Sequence, residues 1–155
     1  MKKLISILTT LMLVLSFAVT ASAQTAKTYN VGIIQMADNG AFTDMREGYI
    51  ARMRELGYTE DQMTFNYQNA QGDMSNLASI CQNMIDQKVD YAVTIATPPS
   101  QAFLNMDSGI PMFFISVSNP VGAGLITDMA KPDKNATGTS NAIPVEEMFK
   151  LSAKL

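Results

Sequence analysis

Neutral hydrogen-bonding side chains gather at four places in this sequence: Gln35 to Asn39, Asn69 to Asp73, Ala96 to Gln101 and Ser116 to Gly124. Amides and hydroxyls dominate these stretches and formal charge is scarce. Their joint chemistry is recognition by hydrogen bonding, not proton transfer. Groups of this kind suit a small zwitterion or polyol held at a few polar points in a cleft.

Catalytic readings have little to work with. The 155 residues contain no histidine and one cysteine. That removes Ser-His-Asp and Cys-His catalysis, His-ligated zinc, Cys-cluster metal sites and an internal disulfide. Gly122-x-Gly124 lacks the third glycine of a dinucleotide fingerprint and follows the fourth strand-like run, not the first. No Gly-Lys-Ser/Thr phosphate loop occurs. Asp38, Asp44 and Asp73 fit no calcium-loop spacing and read as helix-start caps. No cofactor, no metal and no catalytic residue is expected. A formal net charge of −3 gives no electrostatic reason to bind nucleic acid or anionic lipid.

The sharpest local signal is Ala96-Thr97-Pro98-Pro99-Ser100-Gln101. Thr97 suits a helix N-cap and Pro98 the first helical position, directly after a strand-like run. A helix start offers free amides and partial positive charge to an anion. The two prolines remove two of those amides, so the donors expected are the amides of Ser100 and Gln101 and the hydroxyls of Thr97 and Ser100. In Ser116 to Gly124 the glycines serve a tight turn, leaving Ser118 and Asn119 to face a crevice.

Alternating patterns supply the elements that would carry these groups. Strand-like runs occur at Tyr29 to Met36, Met63 to Ala70, Tyr91 to Ala96 and Pro111 to Val117, with a weaker one at Asn135 to Ala142. Between them, Phe42, Met45, Tyr49, Met53 and Leu56 recur at helical spacing up to Gly57. Met74, Leu77, Cys81, Met84 and Ile85 mark a second helix, and Ser100 to Met106 a third. Cys81 should be a buried small hydrophobe, and the methionines core filler. Strands alternating with helices predict an α/β fold with a doubly wound parallel sheet flanked by helices. Ligands in such sheets bind beyond the carboxyl ends of the strands, where the winding reverses. The four polar stretches all follow strands.

The first residues read differently. Lys2 and Lys3, the apolar run from Leu4 to Val19, and Ala21-Ser22-Ala23 have the order of a secretory signal peptide, cleaved after Ala23. An exported protein, periplasmic or extracellular, without stable membrane insertion is the expectation. No later run approaches the roughly 20 apolar residues of a membrane span.

The ordered series VGIIQM, FTDMREGYIARMRELGY, YQNAQGD, TIATPPSQA, ISVSNPVGAGL and ATGTSNAIPVEE resembles the ABC-transporter substrate-binding proteins of the TrpX type, from Tyr29 to Leu155. The chain carries Asn39-Gly40 where that family often has His-Pro. It carries Asn119 where the family often has Asp, and Pro99 where the family has alanine. The resemblance implies a type I periplasmic binding fold, with two Rossmann-like α/β lobes closing over a ligand and docking on a membrane permease. It implies an amino-acid ligand, aromatic in some members.

Family members are about twice as long, so the expected organisation is a leader (1–23), an N-terminal ligand-binding lobe (24–140) and a hinge with the start of a helix (141–155), truncated before the second lobe. The expected site is polar capture of the amino-acid backbone by Thr97, Ser100, Gln101, Ser118 and Asn119, with Gln35, Met36 and Asn69 at the side-chain end. Two other readings stay open: an extracytoplasmic sensory module, and a non-functional truncated fragment.

Overall fold

The computed structural model describes residues 27–154; the leader expected over residues 1–23 lies outside them. Five strands form one sheet: β1 (Tyr29–Gln35), β2 (Met63–Asn69), β3 (Tyr91–Ile95), β4 (Met112–Val117) and β5 (Ala136–Ser140). The described helices are α1 (Gly40–Glu55), α2 (Met74–Asp86), α3 (Thr97–Leu104) and α4 (Val145–Ser152). Strand order is β2-β1-β3-β4-β5, and every pairing is parallel. The doubly wound α/β sheet expected from the alternation is therefore present, and the winding reverses between β1 and β3.

Both faces of the sheet are covered, which is why its central strands read as nearly continuous apolar runs. Val31, Ile33, Met63, Val93 and Ile95 form one buried cluster, against which Phe42, Met45, Tyr49 and Met53 of α1 pack. On the other face Ile34, Ala92 and Phe114 pack with Leu77, Cys81 and Met84 of α2 and Phe103 of α3. Each fully buried Val, Ile, Leu, Met or Phe among them contributes about 1.5–3 kcal/mol before entropy is counted. Cys81 is buried as expected, and burial pushes its thiol up to about 11. The methionines divide: Met63, Met84 and Met112 are core, whereas Met74, Met129 and Met148 are more than half exposed.

Two glycines permit close approach. A Cβ on Gly32 would sit 2.8 Å from the Met84 sulfur, so its absence lets α2 settle on β1. A Cβ on Gly138 would lie 1.9 Å from the Phe114 carbonyl oxygen. There β5 lies against β4 at a register irregularity between Phe114 and Val117. Ser116, within that irregularity, has a left-handed φ of 61°, the local signature of a bulge.

Helix starts follow the sequence with three corrections, one of them Asp44, which lies inside α1 and caps nothing. Asp73 caps α2, accepting from the Ser75 amide at 2.8 Å. The cap of α1, however, is Asn39, which accepts from the Phe42 amide at 2.9 Å, so Asp38 is not a cap. Thr97 is not a cap either. It is the first residue of α3, and Ala96 occupies the cap position with φ 75° and ψ 171°. The strand-to-helix turn is made one residue early, at Ala96, whose amide still extends the ladder to the Ile115 carbonyl at 2.9 Å.

Candidate functional site

Because all five strands run the same way, their carboxyl ends share one edge of the sheet. The loops after β1, β2, β3 and β4 therefore meet along that edge, and the reversal between β1 and β3 lies among them. Met36 and Asn69 follow or end neighbouring strands. Thr97 and Ser118 follow the adjacent strands β3 and β4, which are in register at Ile95 and Ile115. Backbone bonds join the first two loops: the Ala70 amide donates to the Gln35 carbonyl at 2.9 Å, and Gly72 to Met36 at 2.8 Å. A third tie runs from Gln101, whose Nε2 donates to the Ala123 carbonyl at 3.0 Å. The loop after β4 is thereby held to α3.

The predicted donors divide once their partners are read. Thr97 is half-buried at the head of α3. Since Pro98 and Pro99 follow it, Thr97 alone brings an N–H among the first three helical positions. Ser118 is exposed, and its Oγ donates to Asn141 Oδ1 at 3.0 Å. Asn119 is also exposed, but its Oδ1 accepts from the Gly122 amide at 2.8 Å, closing the turn. Asn119 therefore shapes its loop while reaching the rim, correcting the expectation of an unattached side chain. Asn69 is similarly engaged, accepting from the Gln71 amide at 2.7 Å.

Ser100 and Gln35 are the larger corrections. Both are fully buried. Ser100 Oγ donates to the Ala96 carbonyl at 2.7 Å and lies 2.8 Å from Thr94 Oγ1, so its hydroxyl is spent inside the fold. Gln35 Nε2 donates to the Ala37 carbonyl at 2.7 Å and to Asp38 Oδ1 at 3.1 Å. These two side chains fix the loops that carry the rim.

Ala96 itself holds a conformation that is essentially glycine's, at a cost of about 1–3 kcal/mol. Strain of this kind persists where the surroundings over-determine it, and it concentrates at ligand sites. Its position beside the winding reversal agrees with that tendency.

Sequence reasoning missed one constellation. Asp38 Oδ1 accepts from the Tyr67 hydroxyl at 2.6 Å and from Arg46 Nη1 at 3.4 Å. The Arg46 guanidinium stacks 4.0 Å from the Tyr67 ring centroid. The Tyr67 hydrogen bond, helped by Asn69 and Arg46 and opposed by partial desolvation, holds the Asp38 carboxyl below its usual range. Burial, then the Asp38 bond, pushes the Tyr67 phenol up to about 12. The available signal was Asp38 itself, within one of the four polar stretches. Arg46 and Tyr67 reach it from α1 and β2.

A different concavity sits at the opposite, amino-terminal end of the strands. It is an apolar groove of about 340 Å³ lined by residues including Tyr29, Tyr49, Met53, Tyr91 and Phe113. The α1 layer stops short of β4, leaving Phe113 45% exposed.

The chain is similar in sequence and fold to several known proteins. A curated "Tyrosine-binding protein" from Clostridioides difficile (strain R20291) is 32% identical over 126 residues, covering 81% of this chain and 36% of that protein. A crystal structure of an ABC domain from Streptococcus pneumonia in complex with L-Trp superposes with a TM-score of 0.74 at 27% identity, over 78% of this chain and 41% of that one. A ligand-free, open substrate-binding protein with adhesive properties from Clostridium difficile gives 0.73 at 30% identity, over 82% and 43%. The chain thus spans less than half the length of these relatives. The family model described as ABC transporter substrate binding protein matches residues 30–155, and the chain belongs to that family.

Proposed function

We propose that this chain supplies one ligand-binding lobe of the solute-binding component of an ABC uptake transporter, and that its ligand is an aromatic amino acid. The observation that carries the reading is the meeting of four polar strand-end loops on one edge, around the winding reversal and beside the strained Ala96. The tyrosine-binding relative and the L-Trp complex support the ligand class. The chemistry is non-enzymatic capture. Thr97, Ser118 and Asn119 meet the amino-acid backbone, with Gln101 holding their loop. Met36 and Asn69 border the side-chain end, and Ser100 and Gln35 position the walls from inside.

The rest of the mechanism follows from half a cleft. Asp38, Asn39, Ser118 and Asn119 are exposed, so one lobe offers one wall and leaves a ligand wet on its other side. A second lobe closing over it would remove that water and raise affinity. Residues 141–155 would be the hinge and the first helix toward that lobe. This accords with α4, whose Val145, Met148, Phe149 and Leu151 are all more than half exposed. Export through a leader cleaved after Ala23 and docking on a membrane permease complete the proposal. No described helix is long and apolar enough to cross a membrane.

Thermal unfolding of the chain with each of the twenty amino acids tests the reading. A bound ligand at a hundredfold excess over Kd stabilises by about 2.7 kcal/mol. An upward shift with L-tyrosine or L-tryptophan is expected. No shift with any amino acid would overturn the ligand class and leave the fold untouched.

A further inference from the structure

We infer that Asp38 is the cation-binding point of the crevice, its carboxylate held in place by Tyr67, Gln35 and Arg46 so that it can accept the ammonium group of an amine-bearing ligand. The inference rests on the crevice proposed above as the ligand site, adds the charge selectivity of that site, and moves the ammonium to the loop after β1, leaving the ligand carboxyl with Thr97.

The geometry is one-sided. Three hydrogen bonds to Asp38 fall on Oδ1, from Tyr67 Oη at 2.6 Å, Gln35 Nε2 at 3.1 Å and Arg46 Nη1 at 3.4 Å, with the Asn69 side chain beside the carboxylate. The donors come from the end of β1, from β2 and from α1. One is the fully buried Gln35, itself fixed to the Ala37 carbonyl. Even so, the Asp38 side chain keeps 61% of its surface exposed. A carboxylate gripped by one oxygen and open to solvent is pre-oriented, so binding would not have to order it.

The charge balance points the same way. Arg46, only 14% exposed at its side chain, lies closer to Glu47 than to Asp38. Its Nε and Nη2 are each 3.0 Å from Glu47 Oε1, against 3.4 Å from Nη1 to Asp38. Two carboxylates share one guanidinium, which leaves one negative charge at the rim. A simple structural ion pair would end neutral. Asp38 follows β1 and Thr97 follows β3, the two strands on either side of the winding reversal. A zwitterion between them would find a carboxylate for its ammonium and a helix N-terminus for its carboxyl.

Three probes separate the terms by NMR titration of the chain: L-tyrosine, tyramine, which lacks the carboxyl, and 3-(4-hydroxyphenyl)propionate, which lacks the amine. The amine probes should shift the Asp38 and Asn39 amides. Asp38→Asn, which keeps the size and loses the charge, should weaken both amine probes about tenfold, the scale of one charge-assisted hydrogen bond. The propionate should bind protein and variant alike. Tyr67→Phe keeps the charge and releases the grip, so it should weaken the amine probes by a smaller factor and carries the test if Asp38→Asn does not fold. L-tyrosine binding protein and variants equally would overturn the role of Asp38 and spare the amino-acid reading. Tyramine bound at Asp38 with L-tyrosine unbound would support the cation point and overturn the amino-acid reading. Failure of both amine probes would overturn the inference.

Discussion

The Ser100 hydroxyl donates to the Ala96 carbonyl at 2.7 Å, so the fully buried side chain of the fourth residue of α3 secures the strained residue that starts the helix. Thr94 Oγ1 lies 2.8 Å from the same hydroxyl. Strand, turn and helix are thereby locked together at the winding reversal. A residue that looks like a ligand donor in the sequence acts as the brace behind the proposed site.

Ser100→Ala should destabilise the fold by about 1–3 kcal/mol, because it strips a partner from the buried Thr94 hydroxyl as well as from the turn. Chemical denaturation measures this directly. Thr94→Val added to Ser100→Ala should recover part of the loss, since the buried Thr94 hydroxyl is otherwise left with only a long 3.5 Å bond to the Phe113 carbonyl.

Ala96→Gly should move stability the other way, by about 1 kcal/mol. Release of a strain of about 1–3 kcal/mol outweighs the extra entropy glycine carries in the unfolded chain, about 0.5–1 kcal/mol. A rise in the denaturation midpoint is the expected result.

Gly138→Ala should be among the most damaging single-methyl changes in the chain. The added carbon would fall 1.9 Å from a backbone oxygen of β4, and no side-chain rotation relieves that overlap. A loss above about 2 kcal/mol, with protection of β5 amides from hydrogen exchange falling first, is expected.

The extent to which the sequence disclosed this architecture follows from the range of each cause. β1 and β3 could be read because burial on both faces writes continuous apolar runs, the half-exposed β2 and β5 by weaker patterns, and all five strands lie within two residues of their expected bounds. The sheet-end position of the polar stretches followed from chain order alone. The Asp38–Tyr67–Arg46 cluster could not be read that way. Its members are separated by up to 29 positions and meet only because β2 lies beside β1. Ser100 and Gln35 show another limit, since a hydroxyl or amide in a polar stretch carries no mark of which side of the backbone it takes. Thr97 was misplaced by one residue because propensity favours threonine as a cap, whereas the fold spends an alanine in a glycine conformation there.

Acid should reveal the Asp38–Tyr67 bond. The folded carboxyl titrates below its ordinary value of 3.8, so the stabilisation is fully present above that value and is lost as pH falls through the lower folded one. The melting difference between the protein and Tyr67→Phe should stay constant through neutral pH and shrink only below 3.8. Melting curves from pH 7 downward provide the check.

Mapping ligand contact residue by residue tests the central claim most directly. On titration with L-tyrosine or L-tryptophan, backbone amide shifts should gather at Met36, Asp38, Asn69, Thr97 and Ser118, on the carboxyl edge of the sheet. Shifts gathered instead at Tyr29, Tyr49, Tyr91 and Phe113 would put the ligand in the apolar groove at the other end of the strands and contradict the account.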